Sequence, residues 1–197
     1  MKYLAAVLFS VFFGTITYGQ VISYDDFTEV IPFLQKEDFK DAFEKTNKLL
    51  GSTQNDSSDL RAIVTYMNIY SAAAMVSLDQ MTYADFKHNT QRYVGQRLVM
   101  SAHPCVDSSV QAFNSLKFVT QDGVLQGMTI SSNSKNTSIF CFEYFKFSET
   151  INPADFIGKT VRTGGILESI EVNPHESRIW VARLHVANAI ARVMEPR

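Results

Sequence analysis

The chain has 197 residues, with 18 Lys+Arg against 20 Asp+Glu and a formal net charge of −2. It therefore lacks the broad cationic field that drives nonspecific nucleic-acid binding. Hydrophobic residues make up 46% and charged residues 19%, which suits a folded chain of one or two compact units and excludes a long disordered one.

Residues 1–19 read as a secretory signal. Lys2 gives the positive start, Tyr3–Phe13 the apolar run, and Thr17-Tyr18-Gly19 the small residues of a cleavage site, which places Gln20 at the mature N-terminus. A membrane anchor would need about 20 apolar residues, and Gly14, Thr15, Thr17 and Gly19 interrupt this run too early. The expectation is a soluble periplasmic or secreted chain. In an oxidising compartment Cys105 and Cys141 either form one disulfide, worth about 3 to 4 kcal/mol in the chain-entropy account, or stay as two buried thiols.

The segment 20–95 is expected to be helical. Phe39, Ala42, Phe43, Leu49 and Leu50 line one side of a first amphipathic helix that Gly51 should stop. A second helix begins near Asp59 as N-cap and runs through Ile63, Met67, Tyr70, Ala74 and Leu78. Thr82 caps a third, with Asp85 as its partner three residues on. The pair 36–50 and 60–78, closely packed through Ala72, Ala73 and Ala74, resembles a tetratricopeptide-type hairpin. A solenoid needs about three such repeats, so these helices are expected to pack on each other and on the C-terminal half of the chain.

Across 96–197 the pattern changes to β, with six runs at 97–102, 116–120, 125–130, 138–147, 160–172 and 178–193. Asp122-Gly123 between two apolar stretches predicts a hairpin. The stretch from Phe156 through Gly158-Lys159 and Gly164-Gly165 to Ile170 resembles the opening strand of bacterial OB-fold domains of the tRNA-anticodon-binding-like type. Gly164-Gly165 would supply the bulge that bends a strand around a small barrel. The fold class expected is α+β, a helical region followed by a small antiparallel OB-like barrel.

Chemistry-bearing residues are few. His88, His103, His175 and His185 are scattered, and only His103-Pro104-Cys105 is clustered, with Pro104 stiffening it away from ligand geometry. Cys105 and His185 lack any elbow or oxyanion motif. Asp25-Asp26, Glu37-Asp38 and Glu168 with Glu171 read as helix starts or a solvated strand face rather than acid–base pairs. No cofactor is implied.

The candidate ligand surface is Arg162, Arg178, Trp180, Arg183 and His185. Strand alternation puts Arg178 and Trp180 on one face and Arg183 and His185 on the other. The alternative places Trp180 in the core with the arginines at its rim. The sequence thus points to a non-enzymatic exported binding or assembly protein that contacts another protein or an envelope polymer. The OB resemblance implies instead an oligonucleotide or oligosaccharide ligand; residues 96–197, with 10 Lys+Arg and 9 Asp+Glu, supply little electropositive groove for a nucleic acid.

Overall fold

The computed structural model describes residues 21–121, 123–177 and 179–195. The expected signal segment 1–19 and Arg178 lie outside the described residues. Among the described residues five helices precede six strands: α1 (Tyr24–Thr28), α2 (Ile31–Gln35), α3 (Phe39–Ser52), α4 (Asp59–Ser77), α5 (Tyr83–Thr90), then β1 (Arg97–Pro104), β2 (Lys117–Gln121), β3 (Val124–Ser132), β4 (Ile139–Phe147), β5 (Thr160–Val172) and β6 (Trp180–Val193). The fold is α+β.

Side-chain caps fix the helix ends. Ser23 and Asp26 form a reciprocal capping box on α1, and Asp38 caps α3. Gly51 does not stop α3, which runs on to Ser52. The Arg61 guanidinium, reaching back from α4, donates to the Leu50 and Thr53 carbonyls at 3.1 and 2.7 Å and so satisfies acceptors at the end of α3. The N-cap of α4 is Ser58 rather than Asp59: its Oγ accepts from the Arg61 amide at 3.2 Å. Thr82 caps α5 as expected, accepting from the Asp85 amide and donating to the Asp85 carboxylate at 2.7 Å.

Helix α4 is buried on nearly all sides, since it lies between α3 and the sheet. Its Ala72, Ala73 and Ala74 are fully buried, and small side chains there allow close approach. At the helix–sheet junction Phe39, Tyr70 and Phe140 form an edge-on triad with ring centroids 5.3 to 5.9 Å apart. The core is therefore shared between the helices and the strands.

The six strands make one sheet in the order β1-β5-β6-β4-β3-β2. The β2–β3 hairpin forms where Asp122-Gly123 predicts it, with Gln121 paired to Val124 and Gly123 at φ +75°. The expected barrel does not close, and the sheet is not wholly antiparallel. After β4 the chain passes beyond the position later filled by β6, so β6 returns between β4 and β5 and runs parallel to β4. The outer strands β1 and β2 touch only at one corner, through an isolated bridge between Cys105 and Leu116. Gly164-Gly165 does sit at a register shift between β5 and β6. A Cβ on Gly165 would lie 2.6 Å from the Ala187 carbonyl oxygen, so the bulge depends on the missing side chain.

Candidate functional site

Register divides the sheet into two chemically distinct faces, because paired residues project to the same side. Toward the helices lie Thr129, Glu143 and Leu184 in one cross-sheet row and Ser131, Cys141 and Ala182 in the next, all buried. On the opposite face two rows run across four strands: Ile130, Phe142, Arg183, Glu171, and Met128, Tyr144, His185, Ser169. Glu171 and Ser169 are exposed and the other six half-buried.

The rows form a connected surface. The Arg183 guanidinium carbon lies 4.5 Å from the Trp180 ring centroid, and Phe142 meets the same ring edge-on at 6.1 Å. Arg183 also donates to Glu171 at 2.8 Å, while His185 Nε2 stands 3.8 Å from the other Glu171 oxygen. The His185 ring stacks on Tyr144 at 5.4 Å, 13° from parallel. Burial pushes the Tyr144 hydroxyl above its usual pKa, against the pull of Arg183. Arg183 Nε is buried without a hydrogen-bond partner. One donor of a charged group is thus left unsatisfied in the middle of an aromatic strip.

This geometry rearranges the expected site. Alternation predicts Trp180 and Arg183 on opposite faces, yet they touch. Trp180 is the first residue of β6, and its carbonyl is held there by Asn173 Nδ2 at 2.8 Å and by the Tyr83 hydroxyl at 3.3 Å. Trp180 is half-buried, neither core nor free. Arg162 is not part of this cluster: it is exposed at the far end of β5, paired with Arg192.

The other candidates take structural places. Cys105 and Cys141 are both free and buried, so the bond between them is not formed. Burial pushes both thiols up, Cys141 well above the ordinary value, which opposes nucleophilic use of either. His103 Nδ1 lies 3.0 Å from the Asn114 carbonyl oxygen, and burial lowers its pKa. Asp26 and Asp38 are spent on caps, and Glu37 accepts from the Ser134 amide at 2.6 Å. Among the described residues no group of three His, Cys, Asp or Glu side chains could hold a metal ion, and no helix is long and apolar enough to cross a membrane.

Sequence reasoning missed Phe142, Tyr144 and Glu143. The run Phe140 to Phe145 reads as apolar throughout, and its alternation becomes visible only by noticing that Glu143 is the single acid within it. Glu143 is fully buried and accepts from Thr129 Oγ1 at 2.5 Å, Ser131 Oγ at 2.6 Å and the Tyr66 hydroxyl at 3.1 Å. Burial raises its pKa while these three hydroxyls pull it back. The network ties α4 to β3 and β4.

Comparison with protein-family models, curated proteins and solved structures finds no match for the chain.

Proposed function

We propose that the protein is a non-enzymatic exported binding or assembly protein, and that it docks a partner protein on the sheet face opposite the helices. The observation that carries this reading is the aromatic–cation strip on β4 and β6 with the unsatisfied Arg183 Nε at its centre. Tyr, Trp, Phe, Met and Arg are the side chains enriched in the buried centre of protein interfaces, and Trp, Tyr and Arg dominate their energetics. A base or sugar stacked on Trp180 fits less well, because Arg183 already lies over that ring. An OB-type oligonucleotide or oligosaccharide ligand is therefore the second reading, and an envelope polymer enters as an arm of the test.

The test is cross-linking of the exported, tagged chain in its source cells, comparing wild type with the pair Tyr144→Ala and Arg183→Ala. A discrete cross-linked protein that the pair reduces at least tenfold, with circular dichroism unchanged, supports the reading. Equal cross-linking by the pair, or co-sedimentation with purified envelope polymer that the pair abolishes, overturns it. Intact mass of the exported chain should begin at Gln20.

A further inference from the structure

The sheet surface changes character toward the other end of β5 and β6, where the start of α4 reaches it. There Arg162 and Arg192 are directly opposite each other in the antiparallel pair. Like charges in that position repel, and neither arginine has an ion pair or hydrogen bond among the described residues. Arg97, on the neighbouring strand, is neutralised by Asp59 at 2.6 Å. Between them a cavity of about 440 Å³ is lined by Val99, Ile166 and Ile190 of the sheet and by Ile63 and the Arg97-paired Asp59 of α4, within the range of small-molecule sites. Two uncompensated guanidinium groups thus stand at the mouth of an apolar hollow.

We propose that this cavity binds a small amphiphilic anion, its alkyl or aryl body on the apolar floor and its phosphate or carboxylate on Arg162 and Arg192. The guanidinium fork suits either head group, since both offer paired oxygen acceptors. The anion also explains why a repulsive cross-strand pair stands without a counter-charge. Stability given up at a site is the usual mark of a function that uses it. The site is separate from the aromatic strip, so this inference stands whether or not the strip docks a protein.

Isothermal titration of the mature chain tests it with three amphiphiles below their micelle thresholds, dodecyl phosphate, laurate and uncharged dodecyl maltoside, and with inorganic phosphate. Binding of dodecyl phosphate or laurate is expected, and the tighter of the two names the head group. Arg162→Gln with Arg192→Gln should weaken that binding at least tenfold while the ligand-free thermal midpoint stays level or rises. Arg192→Gln alone gives the same comparison at smaller amplitude. Four results overturn the proposal: neither anion binds, the maltoside binds as well as the anions, inorganic phosphate alone binds as tightly, or the double variant keeps its affinity. A fall in the ligand-free midpoint of Arg192→Gln also overturns it, because the arginines would then be structural.

Discussion

Tyr66→Phe probes the buried carboxylate on β4, removing one of its donors together with the 3.0 Å contact of the same hydroxyl with Ser131 Oγ. In the folded chain Glu143 Oε1 accepts from Tyr66 at 3.1 Å and from Ser131 at 2.6 Å, and Oε2 accepts from Thr129 at 2.5 Å, with no cation among the groups that act on it. A hydrogen bond to a charged group contributes about 1.5 to 3 kcal/mol, and one between neutral groups about 0.5 to 1.5. The Tyr66 bond is the longest of the three, so removing it should cost about 1.5 to 2 kcal/mol while Glu143 is ionised and about 0.5 to 1 once it is protonated. The sign comes from the direction of the shift. Burial raises the folded pKa above the unfolded value of about 4.3, so this group's contribution is fully present below that value. It is lost as pH rises through the folded pKa. Losing the Tyr66 donor disfavours the charged form further, which deepens that loss. Urea denaturation of both chains in steps of rising pH from about 4 reads the difference, at unchanged slope. The variant should become more damaging, by about 1 kcal/mol, as the pH passes through the ionisation of Glu143 in the folded chain, and Glu143→Gln should abolish that pH dependence. A cost that stays constant at every pH at which the chain is folded, or a pH dependence that survives Glu143→Gln, refutes the account.

Three further outcomes are expected. Gly165→Ala should cost about 1 to 3 kcal/mol by overpacking, since its Cβ would strike the Ala187 carbonyl, whereas Gly51→Ala, with nothing within 4 Å, should be neutral or stabilise α3 by up to about 1 kcal/mol; thermal melts of the pair check both. Trp180→Ala, at a half-buried ring, should cost about 1 to 2 kcal/mol, well short of the about 3 to 5 kcal/mol expected for Phe140→Ala at a fully buried ring; paired urea midpoints decide. Alkylation without reductant should label neither cysteine in the folded chain and both after denaturation, and a mass lacking both labels would show a disulfide instead.

The fold was legible where local chemistry and tertiary packing agree. Thr82 lies ahead of a polar–apolar helical repeat and caps α5; Gly123 comes after a β run and takes the positive φ of its turn. The errors arose where a distant residue settles a local question. Gly51 resembles a stop until Arg61, from the next helix, is seen to hold the carbonyls around it. The open sheet was hidden for a similar reason. Strand lengths and turns fit a small barrel equally well, whereas in the structure β6 is inserted between β4 and β5 and the edge strands β1 and β2 meet at the Cys105–Leu116 bridge rather than along their length.

The site was harder to read because its membership depends on counting faces, and counting fails at bulges. From Trp180 to Arg183 the simple alternation breaks at the entry to β6. The β5–β6 register shifts twice: between Gly164 and Ile166 the extra residue falls on β6, and between Leu167 and Ser169 it falls on β5. The single extra residue on β5 puts it one step out of phase, so Arg162 and Glu171, nine positions apart in sequence and of opposite parity, both pair with arginines on one face of the sheet. One of these pairs is complementary and the other repulsive. Glu171 with Arg183 neutralises the charge of a strip that still holds one unsatisfied donor, the Arg183 Nε, which suits a large, flat partner. Arg162 with Arg192 leaves charge uncompensated over an apolar hollow, which suits a small ligand that brings its own anion.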